Sequence, residues 1–192
     1  MKTKKDNFKM EIKNKWLGIL MSLITVLFIS CGGDDDNSSE TSGGAGEANI
    51  VLTAGGQEFK VVGPCGWAVI GGVNYIGANQ SDNNLRTFSS FFNISELPNG
   101  TTTYTLVEDD SDTDPGHITM NITEISGSKL TEWSSKDTSG KLTLVVEGKK
   151  VTANLAGITL FPQTNSGAFT NGNTGAFANN GVLTGTLTFY KN

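Results

Sequence analysis

The chain has 192 residues and a formal net charge of −5, from 14 basic and 19 acidic residues. Residues 1–30 hold six lysines against Asp6 and Glu11, a net charge of +4. Without that segment 8 basic and 17 acidic residues remain, so the rest of the chain is near −9. A surface of that sign repels the phosphates of nucleic acids and of anionic lipids, which excludes both as direct partners.

Residues 1–30 have the three-part pattern of a secretory signal peptide. A basic region is followed by an apolar run from Trp16 to Ile29 and then by the small residue Ser30. The run has about 14 residues, fewer than the ~20 that a helix needs to cross a bilayer. We therefore predict a helical signal peptide that is removed rather than a permanent membrane span. The pattern is complete from Met10 onward, so translation from either Met1 or Met10 would provide it.

Cys31 follows the segment Leu27-Phe28-Ile29-Ser30. Small and apolar residues directly before a cysteine resemble the lipobox of bacterial lipoproteins. The resemblance implies cleavage between Ser30 and Cys31 and a diacylglyceryl- and palmitate-bearing Cys31 that anchors the chain in a lipid bilayer. The alternative is an ordinary signal peptide that happens to contain a cysteine.

Residues 31–48 are rich in Gly, Ser and Asp and contain no large apolar residue. Such a segment predicts a flexible acidic tether, because it buries too little surface to offset its ordering entropy. Cys31 followed by Asp34-Asp35-Asp36 resembles the lipoproteins of Bacteroidota-type bacteria, in which an acidic run accompanies export to the cell surface. The resemblance implies an outer-membrane, surface-exposed lipoprotein; an anchor facing the periplasm is the alternative.

Residues 49–192 are predicted to be one all-β domain, because apolar residues alternate with polar ones. The alternation is clear in 118–123 and in 183–190, and Gly-rich turns separate the segments. We expect an antiparallel β-sandwich of about nine to eleven short strands, with a barrel as the second choice. The alternation slips near Ala156-Gly157, within a predicted strand at 150–161, and a β-bulge would explain the slip.

The side chains that usually carry catalysis are few. With Cys31 acylated, Cys65 has no intrachain partner, and its position beside a turn predicts a buried, inert thiol. His117 is the one histidine in the sequence and is expected at the surface. No spacing singles out a carboxylate pair among Glu58, Glu96, Glu124, Glu132 and Glu147. We therefore predict no enzymatic activity.

Asp110, Asp112 and Asp114 alternate like the first ligands of a calcium loop. The rest of an EF-hand is missing, since Pro115 stands in the place of the required Gly and Asn121 in that of the closing Glu. The segment is either a calcium loop of another geometry or a solvated hairpin tip. No other cofactor is expected.

Residues 166–173 and 174–181 form a two-copy repeat of period eight, with Phe169 and Phe177 at matching positions. A connection as long as 163–181 is often functional, so both rings are candidate ligand contacts. The alternative, which we favour, is that both rings tuck back to close the end of the domain. Trp133 has polar neighbours and is predicted to be exposed as a third contact, whereas Trp67 is assigned to the core.

These features together predict a membrane-anchored cell-envelope lipoprotein whose domain is a non-enzymatic binding or adhesion module for a glycan or a protein. A structural or assembly lipoprotein without a small-molecule site is the alternative. A glycan-active hydrolase is a more remote one.

Overall fold

The computed structural model describes residues 44–70, 73–81, 85–92, 96–108, 112–164 and 168–191. The signal peptide, the cleavage site at Ser30, the lipidation site Cys31 and the calcium candidate Asp110 lie outside the described residues, so they stay predictions. Within these ranges, no helix has both the length and the apolar character needed to span a bilayer.

The described part of the chain contains twelve strands and one short 3₁₀ helix. In chain order they are β1 Gly44–Ala54, β2 Gln57–Ile70, β3 Val73–Ser81, β4 Leu85–Phe92, β5 Thr102–Leu106, β6 His117–Ser126, β7 Lys129–Ser134, β8 Lys141–Glu147, β9 Lys150–Asn154, β10 Thr159–Pro162, β11 Thr170–Asn171, the 3₁₀ helix Gly175–Ala178 and β12 Gly181–Tyr190.

Nine strands form a closed barrel in the order β1-β2-β3-β4-β6-β5-β8-β9-β12, and β12 pairs with β1 to close it. The closing register runs from Gly44 opposite Tyr190 to Ala54 opposite Gly181. The all-β prediction is confirmed. The predicted antiparallel sandwich is wrong in two respects: one sheet closes on itself, and β5 pairs with β6 in parallel. Closure pairs the backbone N–H and C=O groups of strands that would otherwise lie unpaired at the edges of a sheet.

Three short strands bridge the barrel wall near one end. β7 pairs with β6, β10 pairs with both β7 and β12, and the two-residue β11 runs parallel to β7. The last pairing places residues 170–171 beside the β6–β7 turn at 127–128. The connection from β10 to β12 therefore lies at this end of the barrel.

The core follows from the predicted alternation. In β12, Leu183 and Leu187 are buried, whereas Thr184 and Thr186 between them are exposed. The other strands of the barrel likewise turn one face inward. Apart from Met120, the largest fully buried side chains are aromatic or branched: Trp133, Phe59, Phe88, Phe92, Phe189, Ile50, Leu52, Ile76, Leu106, Ile118 and Ile122. Side chains of this size fill the interior of a small barrel.

Two predicted boundaries change. β1 begins at Gly44, so the first strand starts inside the segment assigned to the tether. The prediction of a β-bulge near Ala156-Gly157 is wrong, because β9 ends at Asn154 and the chain turns before β10 begins at Thr159. Gly157 has a φ of +84°, a conformation that ends a strand and that glycine adopts at little cost.

Candidate functional site

The connection between β10 and β12 covers one end of the barrel. Phe177, in the 3₁₀ helix, lies edge-on to Trp133 and Phe59, with ring centroids 5.4 and 6.0 Å apart. Phe59 and Trp133 are themselves edge-to-face at 5.2 Å. We call Phe59, Trp133 and Phe177 the aromatic triad. Edge-to-face contacts add to the stabilisation from apolar burial, so the triad joins the connection to the core.

Hydrogen bonds hold the connection in this position. The Trp133 Nε1 group donates to the Asn179 carbonyl oxygen over 3.1 Å. The buried Asn173 side chain accepts from the Glu132 backbone N–H over 2.9 Å and donates to the Phe177 carbonyl over 3.1 Å. These bonds satisfy polar groups that would otherwise be costly to bury.

The β1–β2 turn fits tightly under the 3₁₀ helix. Gly55 has a φ of +55°, and a Cβ atom there would lie 2.7 Å from the Ala176 Cα atom. A side chain would therefore meet backbone as well as a strained conformation. Only glycine lets the helix approach this closely.

An inward-facing ion pair lies beside the triad. Arg86 and Glu124 are opposite each other on β4 and β6, and the Arg86 Nε donates to the Glu124 carboxylate over 2.5 Å. The Arg86 guanidinium carbon also lies 4.6 Å from the centroid of the Phe59 ring, a cation–π contact. The Glu124 carboxylate balances the charge of the Arg86 guanidinium inside this end of the barrel.

Glu124 and Glu132 lie on opposite faces of the sheet. Glu124 shares the face of β6 that carries the buried Ile122, whereas Glu132 lies opposite the buried Thr123 on the other face. Burial raises the pKa of Glu132 above its usual value. Glu58 is exposed and pairs with Lys60 over 2.8 Å. These three acids do not form the facing pair that the hydrolase hypothesis requires.

Trp133 is fully buried, so the prediction that it is exposed is wrong. Its polar neighbours Glu132 and Ser134 occupy the alternate positions of β7 and face away from it. Trp67 is 6 % exposed, as the sequence predicts for a core residue.

Phe169 and Phe177 differ in how far their side chains are buried. Phe177 tucks back against the core as predicted. Phe169 does not, because its side chain is 39 % exposed. Its neighbour Thr170 donates from its backbone N–H and its hydroxyl to the Ser128 carbonyl, over 2.8 and 3.1 Å. These bonds fix Phe169 beside the β6–β7 turn without burying it.

Apolar side chains flank Phe169 on the outer face. Leu85, Ile125 and Leu130 are in register on β4, β6 and β7, on the face opposite to the buried Ile122 and Trp133. Ile125 is 37 % exposed, and Leu85 and Leu130 are half-buried. We call Leu85, Ile125, Leu130 and Phe169 the apolar rim.

The acidic turn uses its carboxylates internally. Asp112 accepts from the Asp114 backbone N–H and lies 2.8 Å from His117 Nδ1, while Asp114 accepts from the Gly116 N–H. The backbone bond and His117 lower the pKa of Asp112, and the bond to Asp112 raises that of His117. Within the described ranges, no group of three His, Cys, Asp or Glu side chains is arranged so that it could hold a metal ion. The calcium loop therefore stays a prediction that depends on Asp110.

Cys65 is 1 % exposed, and burial raises the pKa of its thiol to about 12. A thiol with that pKa forms almost no thiolate at neutral pH, so it is a poor nucleophile. The prediction of a buried Cys65 is confirmed.

No protein-family profile matches the chain, and neither a curated protein nor a solved structure is a match.

Proposed function

We propose that the chain is an acylated, membrane-anchored envelope lipoprotein whose barrel is a non-enzymatic binding module for a glycan or an envelope protein. The observation that carries the proposal is the apolar rim, where Phe169 and Ile125 are 39 % and 37 % exposed. Exposed aromatic and aliphatic side chains that cluster on one surface are typical of binding sites.

The rim is attached to rigid parts of the molecule. Ile125 and Leu130 belong to a paired hairpin, and backbone hydrogen bonds tie Thr170 to that hairpin. The strands already hold the rim in place. Binding a partner therefore costs little conformational entropy in the rim itself. Phe169 contributes a large apolar ring with few rotatable bonds, which suits either a sugar ring or a protein surface.

The sequence around Cys31 supports the anchor. Acylation of Cys31 would tether the barrel to the membrane, and Asp34-Asp35-Asp36 favour the outer cell surface, with the periplasm as the alternative. Replacing Cys31 by Ala is expected to abolish labelling with a palmitate analogue and to release the protein from membranes. Persistent labelling of that variant would contradict the anchor. Protease treatment of intact cells decides which way the barrel faces.

The rim is tested with a photo-crosslinking amino acid at position 169, compared with the same residue at position 53. Thr53 is exposed on β1 and is not part of the apolar rim. We expect either specific crosslinks to an envelope protein from position 169 alone, or a glycan-array signal that Phe169→Ala removes. If position 169 yields no specific crosslink and the array is silent, the binding role of the rim is wrong.

A structural or assembly role is the second candidate. It is favoured by the filled interior of the barrel, where Trp67, Trp133 and the other large side chains pack against one another. In a barrel filled in this way, the core side chains stabilise the fold and take the place that a small molecule would need. The crosslinking experiment separates the two candidates, because a structural lipoprotein needs no contact at position 169.

A further inference from the structure

A second surface lies on the wall formed by β1, β12, β9, β8 and β5. One row of side chains crosses all five strands in register: Asn49, Thr186, Asn154, Thr143 and Thr103. Thr184, Thr188 and Thr152 flank the row on the same face. We call these eight residues the Thr/Asn belt. The five-strand row is about 19 Å long at the usual spacing of paired strands.

The belt faces solvent, and it contains no charged residue. Asn49, Thr103, Asn154, Thr184 and Thr186 are exposed, and the other three members are half-buried. Charged residues border the belt, with Glu47 opposite Thr188 and with Lys150 and Lys141 two positions from Thr152 and Thr143. The β-propensity of threonine explains why it occurs on the solvent-exposed face of a strand. It does not explain why lysine and glutamate are found beside the belt but not within it.

Tyr190 stands at one end of the belt. It follows Thr188 by two residues on β12, so it shares the outward face, and its side chain is 42 % exposed. Its carbonyl oxygen accepts a hydrogen bond from Trp67 Nε1 over 3.1 Å, which ties this end of β12 to β2. An exposed phenol ring of this kind is a stacking platform for a ring with an apolar face.

We infer that the Thr/Asn belt and Tyr190 bind a neutral polysaccharide. This inference rests on the proposed binding function and names its ligand class. Threonine offers a hydroxyl and a methyl group, and asparagine an amide, which together match the alternating hydroxyl and C–H groups of sugars. A charged polymer would find no side chain of opposite charge within the belt. An uncharged polymer needs no such partner, so the belt suits a neutral ligand better.

The composition of the belt disfavours a protein partner on this surface. Protein hot spots are enriched in Trp, Tyr and Arg, and Tyr190 at the end of the belt is the one residue of these types on the proposed surface. Both edges of β1, β12, β9 and β8 are paired within the barrel, so these strands leave no open edge for an added strand. Hydrogen bonding to the side chains of the belt, with apolar contact at Val145 opposite Thr152, is the recognition that remains.

The test is affinity gel electrophoresis of the mature protein, extracted in mild detergent, through gels containing dextran, mannan, laminarin or the anionic polymer alginate. Thr186→Glu places a charge at the centre of the belt and is expected to weaken binding about tenfold, through one lost hydrogen bond and one desolvated charge. Thr53→Glu is the matched control, because Thr53 is exposed on β1 outside the belt.

We expect at least one neutral polymer to retard the wild type and the Thr53→Glu variant, but not the Thr186→Glu variant. The inference is overturned if no neutral polymer retards the wild type, if alginate retards it as strongly, or if Thr186→Glu binds like the wild type. The crosslinking result at position 169 separates the two proposals. A positive crosslink with negative gels rejects the belt alone, and negative results in both reject the binding function as well.

Discussion

The two copies of the eight-residue repeat share Gly-Ala-Phe and one asparagine, and their phenylalanines have opposite environments. In the first copy, Phe169 follows a small residue, Ala168, and remains 39 % exposed. In the second copy, Phe177 follows Ala176 and packs 5.4 Å from the Trp133 ring. One sequence motif therefore provides a surface residue and a core-facing residue.

The structural neighbours of each phenylalanine decide whether it is buried. The first copy runs along β7 and pairs with it through Thr170 and Asn171. The second copy lies over the end of the barrel, where Gly55 lets the 3₁₀ helix come close. Phe169 of the first copy is thus available to a partner, whereas Phe177 of the second copy stabilises the barrel together with the buried Asn173.

Replacing Trp133 by Ala breaks the second environment most severely. The ring is fully buried and contacts both Phe59 and Phe177. We expect a loss of about 3–5 kcal/mol in the free energy of unfolding, measured by urea denaturation. Trp133→Phe is the control and is expected to lose less, because it keeps an aromatic ring and gives up the bond to Asn179. A loss below about 1 kcal/mol for Trp133→Ala would contradict its place in the core.

Phe177→Ala removes the ring by which the second copy contacts the core. Phe177 is only half-buried, so we expect a loss of about 2 kcal/mol, below the range for a fully buried phenylalanine. Thermal unfolding followed by circular dichroism measures the change. Phe177→Leu should retain most of the stability. If Phe177→Ala unfolds like the wild type, the connection does not close the barrel.

Asn173→Ala separates hydrogen bonding from ring packing. The substitution leaves the Glu132 N–H and the Phe177 carbonyl without their side-chain partners, at a cost of about 1–2 kcal/mol in unfolding free energy. Asn173→Asp keeps an acceptor for Glu132 but places a buried carboxylate against the Phe177 carbonyl oxygen, so it is expected to lose at least as much stability as Asn173→Ala. Equal stability of all three proteins in urea would show that packing alone holds the connection.

Phe169→Ala is expected to change stability least, within about 0.5 kcal/mol, because an exposed side chain loses little on truncation. The same variant is expected to lose the binding that the rim provides. A large drop in melting temperature would mean that Phe169 is packed in solution, and the contrast between the copies would disappear.

Much of the fold follows from the sequence, but the closure does not. Alternation in β6 and β12 predicts which residues face inward, and the glycine turns predict most hairpins. Alternation is equally compatible with a sandwich and a barrel. The pairing that decides between them joins β1 to β12, from the two ends of the described chain, and such a long-range contact leaves no local signal.

The candidate site was less predictable. The two apolar residues of β7, Leu130 and Trp133, fall on opposite faces of the strand, so alternation does not decide which one is buried. The polar neighbours Glu132 and Ser134 suggest exposure, but they face away from Trp133. The Arg86–Glu124 pair depends on the register of β4 and β6, which the separate segments do not reveal. Phe169 and Phe177 were predicted to behave alike because their sequences match.

Thiol accessibility tests the contrast between the two copies most directly. In the full chain with Cys31→Ser, the buried Cys65 is a silent reference, because its thiol is 1 % exposed. Adding Phe169→Cys or Phe177→Cys places one reporter in each copy of the repeat, and reaction with Ellman's reagent under native conditions measures its exposure. We predict fast reaction at position 169, slow reaction at position 177 and reaction of Cys65 only after unfolding. Equal rates at positions 169 and 177 would contradict the account.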